Sequence, residues 1–451
     1  MRNILVAATL AALAAPAAAV DLMGVYEMAS SNDPQIRAAE RRLDAAELET
    51  KLARANFLPQ INSTLQRTPF GNSQTKIDSV ELPDNDIDSE NYSINLTQSL
   101  FDYSNFAGME RARRVIAQAD SQYAVAFQDF LQRTAQRYFD MLNAIDSLRF
   151  ARAEEKALQR QFEQAEQRFE VGLSAVTDFL EAQAAWDASR ARVIVAENAL
   201  ENAREGLREL TGTMFESFKP LAEDLPLDPP VPTTAQEWVQ RALQSNPDLL
   251  VARESVSIAE SDIKIARSGH LPTLELSAGY NRRLNNEFVL RADDQSQIAT
   301  TTLQNDEWSA AVRLNVPIFS GLAVKSRTQQ ARINRSVASE ELDLNQRQAV
   351  RATENAFRAV IAGIRQVEAL QQALVSADSA LEATNAGFEV GTRTIVDVLL
   401  AEQRFFQAQR DFSQARHQLI LDRLGLRRAA GTLAPEDLAR ANELLEGPER
   451  G

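Results

Sequence analysis

The chain has no cysteine and only two histidines in 451 residues. Without cysteine it has no disulfide, thiolate metal site, cysteine nucleophile or acylated N-terminal cysteine. His270 and His417 stand apart from any ligand cluster, so zinc binding and histidine acid–base chemistry find no support. Long hydrophobic runs are equally scarce. Beyond the N-terminus no segment reaches the roughly 18 uninterrupted apolar residues of a spanning helix, so any membrane role falls to strands. A formal net charge of -15 argues against nucleic acid as the main partner. Asp84-x-Asp86-x-Asp88 has calcium-loop spacing, but Ser89 stands at the sixth position where Gly is expected and Asn95 at the twelfth where an acid is expected. A solvated outer loop is the better reading. No nucleophile, metal or phosphate-binding constellation emerges, so the expectation is no enzyme, no cofactor and no metal.

Glycine and proline are also missing where it matters. None occurs between Gly108 and Gly172, a run of strong helix formers worth about 95 Å of helix. Val324 to Phe388 behaves alike, with Gly363 and Gly387 as its blemishes. Small or apolar residues recur at steps of three and four, as in Phe162, Ala165, Phe169 and in Leu370, Leu374, Ala377, Leu381. Each helix therefore has one sticky face, and helices this long must lie against one another as a coiled array.

What the chain does have is the same order written twice. Lys51-Leu52-Ala53-Arg54-Ala55-Asn56-Phe57-Leu58-Pro59 returns 213 residues later as Lys264-Ile265-Ala266-Arg267-Ser268-Gly269-His270-Leu271-Pro272. Phe169-Glu170-Val171-Gly172 returns 219 residues later as Phe388-Glu389-Val390-Gly391, with Asp178 matched by Asp397. Each copy reads as helix, two alternating strands, then a long antiparallel helical hairpin whose tip turns at Gly172 or Gly391, with a restart near Ser, Thr or Asp caps. Residues 1–19 read as a signal peptide, with Arg2, the apolar Ile4 to Leu13 and Ala17-Ala18-Ala19, which implies export; an N-terminal membrane anchor fits less well because the stretch is short. The first repeat is expected at 20–213, a Pro-rich linker at 214–233, the second repeat at 234–432 and a C-terminal tail at 433–451.

The strands alternate with period two. Trp308, Ala310, Val312, Leu314, Val316 and Ile318 share one face, as do Tyr92, Ile94, Leu96 and Leu100, and Leu274, Leu276, Ala278 and Tyr280; Gln60 to Arg67 is weaker. At about 9 to 12 residues each, they have the length of tilted membrane strands, and polar stretches (Thr68 to Glu90, Asn281 to Asp306) separate the members of each pair. A soluble sandwich is the competing reading. Four strands are too few to close a barrel, and open edges are intolerable in lipid, so other copies must complete it. Eight strands from a dimer would leave a filled interior; twelve from a trimer would leave a lumen. With the helices continuing the ring, the expected fold is mainly α with a β-barrel contribution, working as a conduit. A pore-less exported coiled coil or periplasmic adaptor is the alternative.

Phe388-Glu389-Val390-Gly391-Thr392-Arg393-Thr394-Ile395-Val396-Asp397-Val398-Leu399, with the closing Gly431-Thr432-Leu433, resembles the TolC family of trimeric outer-membrane efflux and secretion channels. The resemblance covers nearly the whole mature chain. It implies a homotrimer with a 12-stranded barrel in outer-membrane lipid and a helical tube in the periplasm, opened at its tip by a periplasmic adaptor and an inner-membrane pump. It places Asp397 on the aspartate ring at the aperture and Arg393 on the latch arginine, with Thr177 and Asp178 as its partners on a neighbouring helix pair. Two positions depart from the family. Phe388 stands where the family has a tyrosine that helps hold the closed state, and Leu400 where it has a second aspartate ring. From the residues alone, Asp178 and Asp397 also suit the first turns of helices, where the macrodipole favours acids.

Overall fold

The computed structural model describes residues 19–69, 72–73, 76–77, 80–81, 85–86, 88–291 and 298–445. All but the last residue of the expected signal peptide, and Asp84 of the calcium-like spacing, lie outside these. The order is α1 (Leu22–Asn32), α2 (Pro34–Glu47), α3 (Glu49–Ala55), β1 (Gln60–Thr68), the short β2 (Asn72–Ser73), β3 (Lys76–Ile77), β4 (Val80–Glu81) and β5 (Asn85–Asp86), then β6 (Ser89–Phe101), α4 (Tyr103–Glu170) and α5 (Val176–Thr211). The second copy follows as α6 (Ala235–Ser245), α7 (Pro247–Ser268), β7 (Thr273–Arg291), β8 (Ile298–Asn315), α8 (Ala323–Glu389) and α9 (Ile395–Ala429), with α10 (Pro435–Asn442) at the end. The hairpins are uneven: α4 has 68 residues against 36 in α5, and α8 has 67 against 35 in α9.

Two compact units each draw on both copies. One holds residues 43–120 and 251–342. Its sheet runs β1-β6-β7-β8, antiparallel throughout, and β1 and β8 are its edges. Opposed residues share a face, so Phe101, Leu274 and Leu314 lie on the apolar side with Val312 and Trp308, and Trp308 is 80 % exposed. In the same unit the start of α4 is tied to α7 by ion pairs, Lys264 to Glu110 at 2.7 Å and Arg111 to Asp262 at 2.8 Å.

The strands correct the sequence reading in two places. Residues 281–306 were expected to be a polar stretch between strands, yet β7 extends to Arg291 and β8 begins at Ile298. Polar side chains do not interrupt a ladder whose backbone bonds are local to a hairpin; polarity reports the solvent the strand meets. At the other end β8 stops at Asn315, short of the expected Ile318, because Pro317 has no N–H to offer a ladder.

The other unit holds residues 1–42, 121–250 and 343–451. Leu22 and Val25 of α1, Phe130 and Tyr138 of α4, Leu207 of α5, Ile420 of α9 and Leu438 of α10 form one core. Through residue 445 the expected tail carries α10 and is packed, since Leu433, Leu438 and Ala441 are buried. The linker is non-helical as its prolines require, but it is strapped down. Tyr138 donates to the Lys219 carbonyl at 2.9 Å, Arg423 to that of Pro226 at 2.6 Å, Arg416 to that of Ala222, and the buried Trp238 indole to that of Pro232 at 2.8 Å. Gly431 turns with φ +73, and a Cβ there would stand 2.4 Å from Asn246 Cα, so only glycine lets this turn meet the α6–α7 junction.

A polar seam joins α4 to α9, and Glu154 is its centre. Its side chain is 1 % exposed; one oxygen accepts from Arg192 of α5 and the other from Arg410 of α9, both at 2.9 Å. Further along, Asn143 meets His417 at 3.0 Å, Ser413 donates to Asp146, and Arg428 pairs with Asp129. Burial lowers the His417 pKa despite Asp146 nearby, so the ring is neutral and its contact is a hydrogen bond. Replacing Glu154 with alanine strands two cations. The expected cost is about 3 kcal/mol, the low end for a broken buried pair because both arginines keep solvent contact. Thermal unfolding followed by circular dichroism checks it, and an unchanged melting temperature for Glu154→Ala contradicts it.

Candidate functional site

Both tips of the long hairpins close by the same backbone device. Gly172, at φ +75, donates to Phe169 O at 2.9 Å while Leu173 donates to Arg168 O at 2.7 Å. Gly391, at φ +80, donates to Phe388 O at 3.1 Å while Thr392 donates to Gly387 O at 2.8 Å. These are the paired bonds of a Schellman stop, and the left-handed residue in each is glycine for lack of a Cβ penalty.

The restarts differ. Thr394 caps α9: its backbone N–H and hydroxyl both donate to Asp397 Oδ2 at 2.9 Å, and Asp397 N–H donates back to the Thr394 hydroxyl at 3.3 Å. The backbone bond first, then the hydroxyl bond, hold the Asp397 carboxyl below the usual carboxylate range. In the first copy Ala175 occupies the cap and makes no side-chain bond, contrary to the expected Ser, Thr or Asp cap. Asp178 sits at the same helical position as Asp397, but no threonine is there to hold its carboxylate. Its N–H bonds to Ala175 O at 3.2 Å, and its carboxylate accepts no hydrogen bond among the described residues.

Within one chain Arg393 forms no ion pair with Asp178 and no hydrogen bond with Thr177 among the described residues. Its stem lies instead over Gly387, where a Cβ would stand 2.8 Å from Arg393 Cγ, and Arg393 N–H bonds to Gly387 O at 3.2 Å. Gly387, a mere blemish in the helical pattern, is thus the seat of the arginine. The signal was present in the repeat: the first copy has Arg168 and Ser174 where the second has Gly387 and Arg393. Large and small have exchanged places. Arg168 lies 4.7 Å above the Phe388 ring, a cation–π contact available to the ring without a hydroxyl.

Behind the tips Leu158, Ala165, Ala182, Ile395 and Leu399 form a buried cluster to which Phe162, Trp186 and Phe388 add. Five residues beyond Asp397, Glu402 is buried. One oxygen accepts from Gln161 at 3.2 Å and the other is buried without a partner. Burial raises its carboxyl above the ordinary range, an effect that the Gln161 bond and Arg160 offset in part.

The profile of the family described as outer membrane efflux protein matches residues 25–213 and 238–432. The chain is 38 % identical to the outer membrane protein TolC of Vibrio cholerae serotype O1 over 444 residues, which is 98 % of this chain and 97 % of that protein. It is 29 % identical over 427 residues to the proteases secretion protein PrtF of Dickeya chrysanthemi, covering 94 % and 90 %. Among solved structures, the outer membrane protein VceC of Vibrio cholerae superposes with a TM-score of 0.73 at 18 % identity, covering 91 % of this chain and 96 % of that one, which shows a common fold.

Because the folded Glu402 holds its proton to higher pH than the unfolded chain, protonation stabilises the folded state as pH falls through the raised value, and a buried charge weakens it above. Glu402→Gln is therefore expected to raise the melting temperature at neutral pH, with the gain shrinking as the solution is acidified. Melting curves across pH check this; a gain independent of pH contradicts it.

Proposed function

The chain belongs to the outer membrane efflux protein family, and from that premise we propose how its parts work as an outer-membrane exit duct for efflux and type I secretion. The observation that carries the reading is the four-stranded antiparallel sheet with an apolar, exposed face and two unpaired edges. In hydrocarbon those edges must find partners, so three copies close twelve strands around a lumen. Eight would leave no lumen, and a duct needs one. A pore-less coiled coil has no use for such a sheet.

In this reading 20–213 and 234–432 are the two repeats, so three chains present six similar hairpins. Residues 1–19 direct export. The turns at Gly172 and Gly391 form the inner-membrane-facing end, and a periplasmic adaptor with its pump opens it. Asp397 from three copies rings the aperture, favouring cations as acidic rings do in pores. Its bonds to Thr394 keep it charged and aimed. Arg393 reaches Thr177 and Asp178 of a neighbouring copy, which agrees with the uncapped carboxylate of Asp178 and with the lack of an intrachain pair. Such a pair is partly wet and worth about 1 kcal/mol or less, the scale of a latch that a pump can release.

Arg393→Ala is expected to raise single-channel conductance in planar bilayers, and unchanged conductance and antibiotic exclusion would count against the latch. Because Leu400 replaces a second acidic ring, divalent and polycationic block from the periplasmic side should be modest and should disappear in Asp397→Asn; strong block that survives this substitution would refute the single-ring aperture.

A further inference from the structure

The apolar sheet face does not end with the strands. Phe101, on the lipid side by register, lies 6.3 Å from Phe106 at the start of α4, and Phe106 meets Phe57, just beyond α3, edge-on at 5.1 Å. Below this aromatic cluster a groove between α3 and α4 continues past Met109 to Arg54, Arg113 and Arg114. Phe106, Met109 and Arg113 fall on one face of α4 at steps of three and four, and all three arginines are exposed. Arg114 stands 3.7 Å from Glu254, whereas Arg54 and Arg113 have no acidic partner among the described residues. The one acid in the groove, Glu110, is neutralised by Lys264 at 2.7 Å.

We propose that this groove binds the headgroup of an anionic phospholipid of the leaflet that borders the helices, its phosphodiester on Arg54 and Arg113 and its upper chain on Phe57, Met109 and Phe106. The occupant follows from continuity and charge. The groove extends the membrane face of the sheet, and its two unpaired cations lie within about 10 Å of the last aromatic, the reach of a headgroup layer plus an extended arginine. A soluble anion would have no use for the aromatic upper wall. Because α3 leads into the edge strand β1 and α4 follows its partner β6, both walls of the groove come from one protomer. The repeat adds a contrast: the counterpart of Phe57 in the second copy is His270, so the aromatic roof is special to the first copy.

The full-length protein in detergent is titrated with dioleoyl phosphatidylglycerol or dioleoyl phosphatidylethanolamine, and bound lipid is counted by native mass spectrometry. The wild type should retain phosphatidylglycerol in preference, and excess inorganic phosphate should leave it bound. Arg54→Gln with Arg113→Gln should lower phosphatidylglycerol retention by at least about fivefold, the effect of one cation near an anionic surface. Arg335→Gln, on α8 and paired with Glu260, should not. Equal retention in the double variant and wild type, equal retention of both lipids, or displacement by phosphate overturns the proposal.

Discussion

An antiparallel sheet with one apolar face and two unpaired edges can rest neither in water nor alone in lipid. Its face avoids water, and its edges carry N–H and C=O groups that hydrocarbon leaves unbonded at several kcal/mol each. Everything else about the protein accommodates that constraint. The strands of one chain pair in the order β1-β6-β7-β8, which leaves β1 and β8 as its edges. In the proposed duct the strand count per chain sets how many copies close the ring, and the number of copies multiplies any charge the chain presents at its axis.

The helical unit meets a different demand. Helices of 67 and 68 residues expose more side surface than a spherical core could cover, so they hold together along their length. Apolar clusters supply the bulk, while the seam from Glu154 to Asp129 on α4 fixes which part of α9 stands opposite. Buried polar pairs of this kind add little net stability yet penalise every sliding misalignment, because a shifted register strands a charge. Near the tips the seam gives way to Gln161 and the half-satisfied Glu402.

Duplication and divergence can be read together at those tips. The copies share the glycine turn and the acid three residues into the next helix, but Thr394 against Ala175 decides whether that acid is occupied, and Gly387 against Arg168 decides where an arginine can lie. Sequence comparison of the copies exposes these exchanges as letters. Their meaning needed coordinates, since nothing in the spacing says that the Arg393 stem would press on Gly387.

The helices, most of the strand faces, the turns at Gly172 and Gly391 and the broken linker were legible from residue order, because each follows from local periodicity, missing N–H groups or positive φ. Strand ends were less legible: the mostly polar residues 281–285 pair, and after a register shift so do 288–291, since a ladder is set by the partner strand rather than by hydropathy. Only the tertiary structure decided that the linker is strapped, that 433–445 joins the core, that Glu154 is clamped by two arginines and that Arg393 does not meet Asp178 within one chain. Those outcomes rest on side chains more than a hundred residues apart in several cases, and such distances are closed by packing, which no local pattern records.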